Sequence, residues 1–150
     1  MKLNFEDWSD LLFRLMFSSL FFGLGFEHLF QDETILKFMP DWVTYRRPIS
    51  ILCGLILLTG ALSILLGFRI EQFAKILALF IFLVTLSVHG VALFRTPVDL
   101  PQEWKWLWEV FQRSNFVKNI CLLGVCIHLI NYTPGRLTVS NIIRYLRGND

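Results

Sequence analysis

Four long apolar stretches, separated by polar segments, dominate the hydrophobic pattern of this 150-residue chain. They lie at residues 11–30, 49–68, 73–94 and 116–132. Each is close to the roughly 20 helical residues that cross the hydrocarbon core of a bilayer. The stretches do not alternate between apolar and polar positions as barrel strands do, so they predict transmembrane helices. The expected fold class is therefore all-α, an integral membrane four-helix bundle.

Shorter amphipathic segments in the loops and the tail are predicted to be interfacial helices. They lie at residues 33–39, 102–112 and 138–147. In the second segment Trp104, Trp108 and Phe111 follow one another at i, i+4 and i+7, which places them on one side of a helix. Tryptophan is enriched where a membrane meets water, so Trp104, Trp106 and Trp108 are expected to anchor this loop to the bilayer. An aromatic cage for a ligand is the sharper alternative.

The composition supports a membrane protein with a single membrane domain over residues 1–150. Hydrophobic residues make up 55% of the chain and charged residues only 17%, whereas soluble domains carry about 25% charged residues. The net charge of +2 and the lack of a basic cluster give no indication of a nucleic-acid partner. No small-residue cleavage site follows the first apolar stretch, which is therefore expected to remain as a helix.

The cysteines and the basic residues add little to the assignment. Cys53, Cys121 and Cys126 lie within apolar stretches and form no C-x-x-C pair, so they are expected to be packing residues. Lysine and arginine residues divide evenly between the two sides of the predicted bundle. The positive-inside rule therefore gives no orientation. Four membrane crossings would place both termini on the same side.

Several polar residues fall inside or beside the predicted membrane helices, where each charge costs about 2.5–3.5 kcal/mol on insertion scales. Helices one and three of an up-and-down bundle end where helix four begins. This arrangement brings together Glu27, His28, His89, Lys118 and Asn119. They are our candidate ligand-binding pocket, beneath the two long loops. Glu27 lies off the inward-facing side of its helix, so it is expected at the rim.

A second polar spot is predicted near the opposite membrane face. Arg14 lies on the same side of helix one as His28, but nearer its start. His128 follows Lys118 on helix four, about 15 Å further along at 1.5 Å per residue. Arg14 and His128 are therefore expected to share a smaller polar region away from the main pocket.

The chemistry of the candidate pocket leaves several interpretations open. His28 and His89 could be axial ligands of a haem, but two histidines without a further motif are a weak signal. A zinc site would need a third ligand, and the helical position of Glu27 argues against that role, so no metal is expected. A quinone, which has a carbonyl end, needs an apolar slot with a few hydrogen-bond donors, and His28, His89, Lys118 and Asn119 are suitable donors. In the simplest alternative, these side chains only satisfy one another.

Several segments of the chain resemble the DoxX family of small bacterial membrane proteins. They are "GLGFEHLF" with the following "FMPDW", "SILCGLILLTGALSILLG" on helix two, and "SNFVKNICLLGVCIHL" at the start of helix four. The resemblance extends to about Tyr132. It implies a four-helix bundle in the bacterial cytoplasmic (inner) membrane, with both termini in the cytoplasm and the candidate pocket on the outer side.

The resemblance also implies a type of function. The broader group includes a membrane subunit of a thiosulfate:quinone oxidoreductase and proteins found beside redox or thiol-handling partners. We therefore expect an accessory subunit in quinone-linked electron transfer, with a redox partner protein, rather than an autonomous enzyme. No catalytic residue is assigned, and a homo-oligomer is compatible with the pattern. The alternative function is a non-redox assembly protein that holds a partner through its tryptophan-rich loop.

Overall fold

The computed structural model describes residues 3–39, 42–97 and 100–148. Regular structure over these residues is entirely helical, so the predicted all-α class is confirmed. The elements in chain order are α1 (Phe5–Phe30), α2 (Asp32–Phe38), α3 (Arg46–Leu66), α4 (Ile70–Val84), a π-helical turn (Thr85–Gly90), a 3-10 turn (Gln102–Trp104), α5 (Lys105–Leu129) and α6 (Val139–Leu146).

The first helix starts before the apolar stretch that predicted it, because its N-terminus is capped. The side chain of Asn4 accepts a hydrogen bond from the backbone N–H of Asp7 at 2.9 Å. The carboxylate of Asp7 accepts one from the backbone N–H of Asn4 at 3.0 Å. This reciprocal capping box satisfies backbone donors that a helix start otherwise leaves unpaired. Polar residues at the start of the chain therefore extend α1.

Helices α1 and α3 pack antiparallel, and their backbones come close at two glycines. A Cβ atom added to Gly54 would lie 3.0 Å from the carbonyl oxygen of Gly25. One added to Gly25 would lie 2.7 Å from Cγ of Leu58. Small residues permit such close packing of membrane helices. The contact lies one turn before His28 on α1, so it also sets the position of that side chain relative to α3.

A tight turn joins α3 to α4 and makes these helices antiparallel neighbours. Gly67 ends α3 in the left-handed region with φ +67°, a conformation that favours glycine. Further along, a Cβ on Gly60 would lie 2.8 Å from Leu77 of α4, so the two helices are also in close contact there. The hydrophobic core lies between α1, α3, α4 and α5. Its buried members are Phe17, Phe21, Leu57, Ala61, Ile64, Ile70, Ala74, Leu77, Ala78, Ile81, Cys126 and Leu129.

Helix α5 runs without interruption from Lys105 to Leu129, which differs from the sequence prediction. The sequence predicted an interfacial helix ending near residue 112 and a separate span beginning near residue 116. The intervening residues contain no proline or glycine, and Asn115 Nδ2 donates a hydrogen bond to the carbonyl oxygen of Phe111 at 3.0 Å. The tryptophan-bearing segment is therefore continuous with the helix that packs against α4.

Within the described residues, three helices are long and apolar enough to cross a membrane. They are Phe5–Phe30, Arg46–Leu66 and Ile70–Gly90. Large apolar side chains on them are exposed at the protein surface, for example Met16 at 67% and Leu79 at 61%. Such extensive apolar exposure is expected where the neighbour is lipid. Helix α5 is not among these three, since the polar residues of its middle turns lower its hydropathy.

Candidate functional site

Polar side chains gather at the two ends of the helix bundle. We call one end the His89 end; it contains His28, Arg47 and His89. The other is the Arg14 end, which contains Arg14 and Asp10. The antiparallel order of α1, α3 and α4 places the end of α1, the start of α3 and the π-helical turn at the same end.

His28 makes a hydrogen-bonded contact with α3 through Ser50. Its Nδ1 lies 3.1 Å from Ser50 Oγ, and the Ser50 hydroxyl donates to the backbone carbonyl oxygen of His28 at 3.0 Å. A hydroxyl has one proton, which this bond to the carbonyl uses. Nδ1 of His28 is therefore the protonated nitrogen and donates to Ser50 Oγ. In the neutral ring, Nε2 is then a hydrogen-bond acceptor.

The backbone around His28 is held by α3 as well. The guanidinium of Arg47 donates to the carbonyl oxygens of Leu29 at 3.0 Å and His28 at 3.4 Å. These carbonyls belong to the last turn of α1, where a helix leaves oxygen acceptors without intrahelical partners. Ser50 itself is fully buried. The imidazole ring and the backbone of His28 are thus both held by hydrogen bonds with α3.

His89 is positioned by the π-helical turn at the end of α4. The buried hydroxyl of Thr85 donates to the carbonyl oxygen of Ile81 at 2.6 Å as the turn begins. At its end, a Cβ on Gly90 would lie only 3.1 Å from the carbonyl oxygen of Thr85, so glycine suits the geometry. π-Helical turns are rare and occur frequently at functional sites. The sequence predicted a regular helix here.

His89 makes the corresponding contact with α5. Its Nδ1 lies 2.8 Å from Oε1 of Gln112, and Gln112 is only 2% exposed. An amide oxygen can only accept, so Nδ1 of His89 carries the proton and Nε2 is again an acceptor in the neutral ring. Both histidines of the candidate pocket are thus held through Nδ1, one by α3 and one by α5.

The remaining predicted pocket residues lie around Lys118. Its ammonium donates to Oδ1 of Asn115 at 2.7 Å and interacts electrostatically with both Glu27 and His89. Glu27, which was predicted to lie at the rim, is exposed. Asn119 is 8% exposed and lies inside the bundle. The structure therefore brings Glu27, His89 and Lys118 into one electrostatic neighbourhood.

Arg14 has more partners than the predicted second polar spot suggested. It is fully buried, and its Nε donates to Oδ2 of Asp10 at 3.0 Å. Its Nη1 donates to the carbonyl oxygen of Leu65 at 2.6 Å, and its Nη2 donates to that of Leu137 at 2.5 Å. Leu65 lies in the last turn of α3, where a cation is favoured. Arg14 thus connects α1, α3 and the segment before α6.

The other member of the predicted second spot, His128, lies beside Tyr132, with ring centroids 6.4 Å apart. Both side chains line an open cleft of about 520 Å³ that Asp10 also borders. Arg14 and His128 therefore lie near the same end of the bundle, with Asp10 between the arginine and the cleft. The part of the chain that the structure describes contains no group of three or more metal-ligating side chains, and its three cysteines are free.

The first half of the chain matches a known protein family. A family model described as DoxX matches residues 9–90, which is more than half of the chain. The chain belongs to the DoxX family. The predicted membership is thus confirmed, although the match ends at the π-helical turn and leaves out the α5 segment of the resemblance. No curated protein and no solved structure matched the chain.

The match divides the candidate pocket of this DoxX protein into two parts. His28 and His89 lie within the matched residues, whereas Gln112 and Lys118 belong to α5, which follows them. The sequence analysis missed Gln112, because this residue is the last one of the predicted interfacial helix and lies outside the predicted membrane spans. Ser50 was missed because nothing in its own neighbourhood distinguishes it from other small residues of the helix.

Proposed function

We propose that this DoxX protein is an accessory subunit in quinone-linked electron transfer and that it binds a quinol at the His89 end. The observation that carries the proposal is that both imidazole rings are hydrogen-bonded through Nδ1. Ser50 and Gln112 each hold one histidine through Nδ1, which makes Nε2 of His28 and of His89 hydrogen-bond acceptors. A quinol offers two hydroxyl donors on one aromatic ring, which suits acceptors of this kind.

The same hydrogen-bond geometry leaves Nε2 of each histidine able to accept a proton that quinol oxidation releases. A quinol that becomes a quinone gives up two electrons and two protons. Nε2 of a neutral imidazole accepts a hydroxyl hydrogen bond and then the proton itself. Glu27 is exposed and interacts electrostatically with Lys118, which lies beside His89 in the same neighbourhood. This carboxylate is suited to pass protons onward to the membrane surface.

The electrons need a carrier that these side chains do not provide. Histidine and lysine take part in proton transfer and hydrogen bonding, not in electron transfer. We therefore propose that a separate redox protein in the membrane takes or supplies the electrons. The catalytic activity would then belong to the assembly. The DoxX chain would contribute the binding and the orientation of the quinol.

Proposed membrane topology places a fourth crossing in α5. Residues 112–129 span about 27 Å at 1.5 Å per residue, close to the thickness of the hydrocarbon core. Cys126 and Leu129 on this part are buried in the common core, whereas Ile120 and Ile127 are 50% and 55% exposed, as lipid-facing residues are. Four crossings place both termini on one side, which we propose is the cytoplasmic side of the inner membrane.

A green fluorescent protein fused after residue 150 tests this topology. The reporter folds in the cytoplasm but not after export through the general secretion route, so the full-length fusion is expected to fluoresce. A matched fusion after residue 97, behind the third helix, is expected to be dark. If the residue-97 fusion fluoresces and the full-length fusion is dark, the orientation in the membrane is the opposite of the proposed one. Equal fluorescence from both would argue against α5 as a fourth crossing.

The quinol proposal predicts that quinone co-purifies with the protein and depends on both histidines. The His28→Asn and His89→Asn variants keep a donor near the position of Nδ1 but remove Nε2. Each is expected to lower quinol affinity roughly two- to tenfold, the effect of one lost hydrogen bond. His128→Asn at the Arg14 end is the matched control and is expected to bind normally. Lipid extracts of detergent-purified protein and titrations with a short-chain quinol give the two measurements.

The titration also distinguishes the two redox states and the other interpretations. The quinol is expected to bind more tightly than the corresponding quinone, because a quinone brings only acceptors to Nε2. Normal binding in both asparagine variants would overturn the site. A Soret band in the absorbance spectrum would support haem instead. If quinone is absent and another protein co-purifies only while Trp104 and Trp108 are intact, the assembly function is the better interpretation.

A further inference from the structure

A second surface, independent of the proposed quinol site, is formed by α6 at the Arg14 end. Its apolar residues occur at i, i+3, i+4 and i+7, namely Val139, Ile142, Ile143 and Leu146. This spacing places them along one face of the helix. Ile142 and Ile143 are 41% and 42% exposed, and Leu146 is 77% exposed. The apolar face of α6 is thus turned outward rather than packed into the core.

The opposite face of α6 is polar and cationic. Ser140, Asn141 and Arg144 lie on this face, and Arg147 follows one residue beyond the helix, at the edge between the two faces. Both arginines are exposed. An apolar face opposed by basic residues is typical of a helix that lies in the surface of a membrane containing anionic lipids.

The start of α6 is fixed to the bundle by several bonds. Arg14 Nη2 donates to the carbonyl oxygen of Leu137, and the backbone N–H of Arg136 donates to Oδ1 of Asp7 at 2.8 Å. Thr138 caps the helix, because its hydroxyl oxygen accepts from the backbone N–H of Asn141 at 3.3 Å. The first turn of α6 therefore has a defined place relative to α1.

That place is the boundary of the membrane-spanning segments. Thr138 is 4% exposed and packs against Gly67, where a Cβ would lie 2.4 Å from its Cγ2. Gly67 is the residue that ends α3, the most apolar of the three spans. A helix that begins beside the end of a membrane span lies at the depth of the headgroups, and its exposed apolar face has acyl chains within reach.

We propose that α6 docks in the membrane leaflet at the Arg14 end and recognises anionic phospholipids. Val139, Ile142, Ile143 and Leu146 insert among the acyl chains, while Arg144 and Arg147 bind headgroup phosphates. The bonds to Arg14 and Asp7 set the depth at which the helix enters the leaflet. The occupant of this surface is thus the same bilayer that the protein spans, and its charge complements the two arginines.

Hydrogen–deuterium exchange of the full-length protein in nanodiscs tests this proposal. The backbone amides of residues 139–147 are expected to exchange more slowly in discs containing phosphatidylglycerol than in discs of phosphatidylcholine alone. The expected slowing is roughly fivefold or more, about the effect of one basic residue at an anionic surface. The Arg144→Gln/Arg147→Gln double variant is expected to lose this difference. The control variant Arg95→Gln/Lys105→Gln removes the same amount of charge at the His89 end. It is expected to keep the difference in exchange between the two kinds of disc.

A change on the apolar face separates insertion from charge attraction alone. Ile143→Ser alters an exposed side chain and is expected to speed exchange of α6 in both kinds of disc while the amides of α3 stay unchanged. The proposal is overturned if the amides of α6 exchange at equal rates in anionic and zwitterionic discs. Equal rates would mean that α6 is protected by any membrane, or by a bound protein, without regard to lipid charge. The proposal is also overturned if the double arginine variant keeps the lipid difference or if Ile143→Ser has no effect.

Discussion

Replacement of Arg14 by leucine is expected to lower the free energy of unfolding by about 3–5 kcal/mol, the usual effect of removing one partner of a buried ion pair. Arg14 is fully buried, and three of its donors are used by Asp10, Leu65 and Leu137. Without the guanidinium, the carboxylate of Asp10 keeps a nearly buried charge, since its side chain is only 10% exposed. Two backbone carbonyls also lose their donor, which adds to the cost.

Unfolding in mixed detergent micelles containing increasing dodecyl sulfate measures this effect. Arg14→Lys keeps the charge but cannot bridge three acceptors as a planar guanidinium does. The stability of this variant is therefore expected to lie between that of the unchanged protein and that of Arg14→Leu. The Arg14→Leu/Asp10→Leu double variant is expected to recover part of the loss, because no unpaired carboxylate remains. Arg113→Leu, at an exposed position of α5, is the control and should cost little. Equal stability of Arg14→Leu and Arg113→Leu would show that the buried bonds contribute nothing measurable.

The main helices of this protein are predictable from sequence for a physical reason. In lipid every backbone polar group has to be hydrogen-bonded within the protein, so a long apolar stretch that does not alternate as a barrel strand does has to be helical. The π-helical turn from Thr85 to Gly90 was not predictable, because it shifts hydrogen bonds within a stretch that is equally apolar in either register. The continuity of α5 was also missed. Polar residues between Gln112 and Asn119 suggested a loop, although Gln112 and Asn119 are buried in the helix bundle and Gln112 is hydrogen-bonded to His89.

The candidate site shows the same division between local and tertiary information. Helical phase and depth in the membrane were sufficient to select His28 and His89 as inward-facing residues at one end. Their partners were not accessible in this way, because Ser50 and Gln112 come from other helices and meet the histidines only after packing. For Arg14 one signal was present in the sequence, since Asp10 lies one helical turn before it and both fall on one side of α1.

The substitution Gly54→Val is expected to cause the second large loss of stability, because Gly54 lies at the contact between α1 and α3. A Cβ at this position would lie 3.0 Å from the carbonyl oxygen of Gly25 and 3.0 Å from the side chain of Leu29. Because the carbonyl is backbone, the helices have to separate, and overpacking of this kind costs about 1–3 kcal/mol. Separation of α1 from α3 also pulls His28 away from Ser50. Quinol affinity at the proposed site is therefore expected to fall together with stability.

Gly23→Val provides a matched control for Gly54→Val. The chemical change is the same and occurs in the middle of a membrane helix, but a Cβ on Gly23 would have no atom within 4 Å. Any effect of valine on helix propensity is thus common to both variants, and their difference reports the packing of α1 on α3. Unfolding in mixed micelles and quinol titration should both separate the two variants. If Gly23→Val and Gly54→Val behave alike, the close approach of the two helices does not control stability or the position of His28.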